Sequence, residues 1–152
     1  MVERLILIAW ATTAAGFDAR YHRLPNWLTL GGLVAGALYA LVYGTSLLGG
    51  NPLHALASAA IGFLALFPAY LAGWMGAGDV KLFAAMGMLG GWTVLLPALL
   101  VGSIISGLGA LALLMLNKGQ VQGKRPMPFG VGLAVGFALA VLDVIPIFPW
   151  ER

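Results

Sequence analysis

The chain has no cysteine, only two histidines and only five acidic residues among 152. Without cysteine there is no disulfide and no thiolate metal site, and thiols give no reading of the redox compartment. Charged residues make up 9% and hydrophobic residues 61%, with a mean hydropathy of +0.98. That lies far outside the composition of soluble domains. The formal net charge of +3 describes an asymmetry between loops, not a surface for nucleic acid. Few chemistries remain, and each acid has to be accounted for.

What is present instead is hydrocarbon. Apolar runs of the length that crosses a bilayer, about 20 residues, recur along the chain and leave no room for a separate soluble domain. The expected fold class is all-α: a polytopic membrane helix bundle of about six transmembrane helices, with 1–152 as a single domain. Spans are expected at Val2–Phe17, Trp27–Tyr43, Leu53–Trp74, Asp79–Leu89, Thr93–Leu116 and Phe129–Ile145. Length forces the division between the fourth and fifth. The stretch Val80–Leu116 carries a single charge, Lys81. As one helix it would be about 55 Å long, against about 30 Å of hydrocarbon. Gly90-Gly91-Trp92 supplies the turn, so the fourth helix is short. Glycine recurs at four-residue spacing in Gly32/Gly36 and Gly132/Gly136, with Gly102/Ser106 similar, a spacing that lets helices approach closely.

Six spans place Arg20, Arg23, Lys81, Lys118, Lys124 and Arg125 on one side, and Arg4 and Arg152 on the other. Cytoplasmic loops carry the Lys/Arg excess, so the first side is expected inside and both termini outside. The outline of a cleaved signal peptide, Arg4 followed by an apolar stretch and Ala14-Ala15-Gly16, also exists at the N-terminus. The charge distribution opposes it. On the six-span reading Asp18 and Asp79 fall together near the cytoplasmic surface, although the span count did not use them.

A carboxylate beside hydrocarbon is costly and persists where chemistry or ion movement needs it. Two carboxyls within reach share a proton; the ionised one can then deprotonate water while the protonated one polarises a carbonyl. Asp79, at the start of a helix, is favoured as the anion, which leaves Asp18 as the more frequent proton carrier. Gly76 and Gly78 lack the Cβ that would keep an extended substrate backbone away. Plainer readings stand beside these: Asp79 as an N-cap, and Asp18 as a surface acid paired with Arg20 or Arg23.

Three segments together resemble one known family. Asp18-Ala19-Arg20-Tyr21-His22-Arg23-Leu24-Pro25-Asn26 resembles the D-x-x-x-x-x-I/L-P-N segment of type IV prepilin peptidases. Gly76-Ala77-Gly78-Asp79-Val80-Lys81-Leu82 resembles their G-x-G-D-V-K-L motif, and Met127-Pro128-Phe129-Gly130 resembles the P-F-G segment that opens their last helix. The resemblance implies an intramembrane-type aspartic endopeptidase with Asp18 and Asp79 as catalytic pair and no metal or cofactor. Gly76, Gly78, Pro128, Phe129 and Gly130 would shape the site or bind substrate. It implies removal of a basic leader from prepilin-like subunits at the cytoplasmic face of the inner membrane, with that substrate and membrane lipids as partners and no nucleic acid. Larger members carry a cysteine-bearing cytoplasmic segment and also N-methylate their product. With neither that segment nor any cysteine, the sequence is more similar to the short, peptidase-only members of Flp or tight-adherence systems. Archaeal preflagellin peptidases share the acidic motifs.

The other polar residues are given plainer roles. Lys81 is expected to snorkel to headgroups, Arg20 and Arg23 to touch anionic lipid, His22 to be a loop residue and Asn26 an N-cap. Asn51 and His54 belong to the opposite side, and Asp143 to the outer boundary as a non-catalytic acid. Pro126-Met127-Pro128 is expected to stay extended, a platform for a substrate strand or a plain helix start. The rival to a peptidase is a small proton- or cation-coupled transporter or channel component using the acids as an ion relay. A non-enzymatic assembly subunit is the third possibility.

Overall fold

Among the described residues, apolar stretches separated by glycine, proline and short polar links become helices. The computed structural model describes residues 1–48, 50–116 and 129–143. Among them are α1 (Val2–Tyr21), α2 (Asn26–Tyr43), α3 (Pro52–Leu71), α4 (Ala77–Gly90), α5 (Trp92–Leu116) and α6 (Phe129–Val141), with no strand. Each of α2, α3 and α5 is long and apolar enough to cross a bilayer, and α6 is a shorter apolar helix. The fourth helix is short, as expected. Its 14 residues make about 21 Å.

Local chemistry sets the ends. Asn51 caps α3 by accepting the Leu53 N–H at 2.8 Å, and Pro52 occupies its first turn, where a missing N–H costs nothing. Between α4 and α5 stands Gly91 alone, at φ 68° and ψ −162°, a conformation essentially reserved for glycine. The expected turn is therefore one residue wide. Other boundaries shift. α1 continues past Phe17 to Tyr21 and stops at His22, which adopts a left-handed conformation and returns its N–H to the Asp18 carbonyl at 2.9 Å. Asp18 thus belongs to the last helical turn, and the expected Asp18–Asn26 turn shrinks to residues 22–25. α3 ends at Leu71 rather than Trp74, before Gly73 at φ 75°.

α4 is the hub of the bundle. Every residue from Asp79 to Gly90 except Lys81 is buried, the mark of a helix enclosed on all sides. It packs on α2 and α3 and also touches α5 and α6, while α1, α6 and α5 lie side by side. The α3 contact is tight because a Cβ on Gly87 would stand 2.7 Å from the Ser58 backbone. The glycine pairs serve close approach: Gly36 meets Met88 and Leu89, while Gly132 and Gly136 meet Gly102 and Ala98 across antiparallel α5 and α6. Gly32 instead makes room for the Trp10 ring, whose Nε1 donates to the Leu28 carbonyl at 3.1 Å.

The two ends of the bundle differ. At one, Arg4 Nη1 donates to Asp143 Oδ2 at 2.6 Å, tying the start of α1 to the end of α6. Asp143 therefore lies away from the other two acids. The opposite end gathers the last turn of α1 and the first turns of α2, α4 and α6, with Arg20, Arg23 and Lys81 nearby.

Candidate active site

Asp79 is the third residue of α4, and its Oδ2 accepts the Gly76 N–H at 3.2 Å. This return bond satisfies one of the donors that a helix start leaves free. Asp18 comes from the last turn of α1, and its Oδ2 accepts the N–H of Val131 at 3.0 Å. Val131 is the third residue of α6, so each acid sits at a helix N-terminus. Helix polarity, expected to mark out Asp79 alone, acts on both acids, and the assignment of Asp18 as habitual proton carrier loses its basis.

Gly130 lies between the acids. A Cβ there would stand 2.9 Å from Asp18 Oδ2 and 3.1 Å from Asp79 Oδ1. Two distances from one point limit the oxygen–oxygen separation to about 6 Å, within which like charges act strongly on one another. Asp18 is 5% exposed and Asp79 9%, and they are the buried charged side chains among the described residues. Both occupy one level of the bundle, whereas a relay of ions needs acids spread through its depth.

The plainer readings meet specific observations. Ion pairs among the described residues join the N-terminal amine to Glu3 and Arg4 to Asp143; Asp18 pairs with neither Arg20 nor Arg23. The His22 ring Nδ1 lies 3.0 Å from the Asp18 backbone oxygen, so this histidine is tied to the chain and not to the carboxyl. Asn26 is not the cap of α2: Pro25 occupies that position without a side-chain bond. The Asn26 Oδ1 instead accepts from Lys81 Nζ at 3.0 Å. Sequence reasoning missed this pair because the partners are 55 residues apart, although each lies within one of the recognised motifs.

The two glycines of the acidic motif have different surroundings. A Cβ on Gly78 would press on Leu24 Cβ at 2.9 Å, so the space is taken by the chain's own 22–25 link and not left for a substrate. A Cβ on Gly76 would meet only Asp79 Oδ2 at 3.6 Å and Gly78 N at 3.9 Å, ordinary contacts. Gly76 is thus the glycine beside open room. The Phe129 carbonyl accepts from Ser106 Oγ at 3.5 Å and its ring packs on the core. Pro128 and the 126–128 segment, expected to be extended, lie outside the described residues. Among the described residues no group of three or more His, Asp or Glu is assembled; the site consists of two carboxyls and backbone N–H groups.

Long apolar helices with two buried carboxyls brought together from separate helices define a helical membrane protein with a paired-acid site. The chain belongs to the type IV leader peptidase family, whose profile matches residues 5–111, a span that includes both acids. It is 35% identical over 153 residues to a prepilin leader peptidase/N-methyltransferase of Aeromonas salmonicida, covering 95% of this chain and 50% of that protein. It is 32% identical to the protein of the same description from Pseudomonas aeruginosa, covering 91% of this chain and 48% of the other. With the Bacillus subtilis relative it shares 38% identity over 87 residues, 57% of this chain and 34% of that protein. The chain spans about half the length of the first two. No solved structure matches it.

Proposed function

We propose that this chain is an aspartic endopeptidase that removes the basic leader from type IV prepilin-like subunits at the cytoplasmic face of the inner membrane. The observation that carries the reading is the convergence of Asp18 and Asp79, from separate helices, on the bare Cα of Gly130. Family membership and relatives described as prepilin leader peptidases support the substrate class. Hydrolysis is the activity proposed.

Two carboxyls this close hold one proton between them more easily than two negative charges. The ionised one takes a proton from water as the water oxygen attacks the peptide carbonyl carbon, and the protonated one donates to the carbonyl oxygen. As the resulting diol collapses and its C–N bond breaks, one diol hydroxyl returns its proton to the carboxylate that had donated to the carbonyl oxygen, and the proton taken from water passes to the departing amine. Val131 and Gly76 orient the carboxyls by their N–H groups. The substrate is itself a membrane-inserted helix with a basic leader, so it reaches the acids laterally between spans, beside Gly76.

The test is incubation of the purified protein with candidate prepilin precursors and mass measurement of the products. The wild type is expected to release the leader. Asp18→Asn and Asp79→Asn, each inserted and melting as the wild type does, are expected to be slower by about 10²–10⁴-fold. Substantial leader removal by either variant would refute the paired-acid mechanism.

A further inference from the structure

We propose that Lys81 and Asn26 form a latch that sets the spacing of the two acids, acting as positioning residues for the activity proposed above, on which this role rests. The acid-bearing helices are not packed chiefly on each other: α1 lies against α6, and α4 against α2 and α3. Something else must hold their ends in register. The N-terminus of α6 is one tie, through Val131 and Gly130. The link that leaves α1 just after Asp18 is the other.

That link is seated on the first turns of α4 at two points. Leu24 lies over Gly78 so closely that a Cβ there would stand 2.9 Å from the Leu24 Cβ and 3.6 Å from its backbone N. Three residues on, and so on the same side of the helix, Lys81 Nζ donates to Asn26 Oδ1 at 3.0 Å. Along the chain Asp79 lies between these two points, on another side of the helix. Lys81 projects about 200° around the helix from Asp79 and acts through the helix, not on the carboxyl. It is also the one residue of the otherwise buried 79–90 stretch that is left partly open. A cation there could instead reach lipid headgroups or substrate. The amide oxygen of Asn26 gives it an acceptor within the protein, on the segment that follows the other acid.

The test uses the full chain in lipid vesicles with a cleavable prepilin, comparing Lys81→Met, Lys81→Arg, Asn26→Leu, Asn26→Asp and the Lys81→Met/Asn26→Leu double variant. A latch predicts that Lys81→Met and Asn26→Leu each lower kcat about tenfold or more with KM within about twofold, because small misplacement of reacting groups is costly in rate. The double variant is then no slower than the slower single, and Lys81→Arg and Asn26→Asp stay within about threefold of wild type. A raised KM with kcat intact, or single effects that multiply, would overturn the latch in favour of substrate or lipid contact.

A second measurement needs no activity. Because the chain has no cysteine, Asp18→Cys/Asp79→Cys carries two unique thiols that a short bifunctional reagent can bridge. Adding Lys81→Met is expected to cut the bridged yield at least about threefold, since the latch no longer holds the two ends at one separation. An unchanged yield defeats the latch even if leader cleavage is established. A reduced yield in a protein that cleaves no prepilin leaves the latch standing and removes the peptidase reading.

Discussion

At the scale of single residues, the site depends on an absence at position 130 as much as on the two acids. The N-terminus of α6 can present the Val131 N–H to Asp18 only because Gly130 brings bare backbone against both carboxyls. Gly130→Ala puts a methyl group where Asp18 Oδ2 is 2.9 Å away and Asp79 Oδ1 3.1 Å. Neither carboxyl is the free end of a long side chain: Asp18 Oδ2 is itself held by the Val131 N–H, and Asp79 is anchored through its other oxygen, Oδ2, by the Gly76 N–H. Displacement falls on the acids. The expected result is a loss of about 10²-fold in kcat, the scale that a misplacement of about 1 Å costs, with the helical content and melting midpoint kept. Initial rates of leader release at saturating substrate decide it. Rates equal to wild type would mean that the acids are not held against this residue in the working protein.

At the scale of helices, α4 carries the strongest packing constraint, and glycine is the means. Gly87→Ala drives a Cβ to 2.7 Å from the Ser58 carbonyl carbon and oxygen, and a helix backbone cannot rotate out of the way as a side chain can. The expected cost is about 1–3 kcal/mol, as for overpacking elsewhere. Gly107 on α5 is exposed, with nothing within 4 Å of its Cβ position. Gly107→Ala is expected to be neutral or stabilising by up to about 1 kcal/mol through helix propensity. Detergent unfolding midpoints of the two variants provide the comparison; equal shifts would mean that α4 is not clamped against α3. The same contrast explains what could be read from the chain. Helix number, and the short fourth helix, follow from apolar run length and from Gly91, which are local properties. The continuation of α1 through Asp18 depends on His22 taking a left-handed turn, which no periodicity encodes. Leu24 over Gly78 and Lys81 on Asn26 are contacts between distant segments, so the motifs located those residues without revealing their partners.

For the whole molecule, the acids belong to different groups of helices, Asp18 to the α1–α6–α5 row and Asp79 to α4 with α2 and α3, so the site exists only when both groups are docked. Docking leaves the two ends of the bundle chemically unequal. Arg20, Arg23 and Lys81 surround the acids' end, while at the other end Arg4 is paired with Asp143. On the orientation proposed above, the cationic end faces the cytoplasm, the side on which a basic leader, too costly to draw through hydrocarbon, would meet the acids. Orientation and substrate access are thus one question. Single cysteines can answer it in a chain that has none. Arg23 and Thr45 are both exposed, in the links at opposite ends of α2. With a membrane-impermeant maleimide on intact spheroplasts, Thr45→Cys is expected to be labelled at once and Arg23→Cys only after the membrane is opened. The reverse pattern would put the acids on the outer face, away from any leader in the cytoplasm, and the peptidase reading would have to be abandoned along with the orientation.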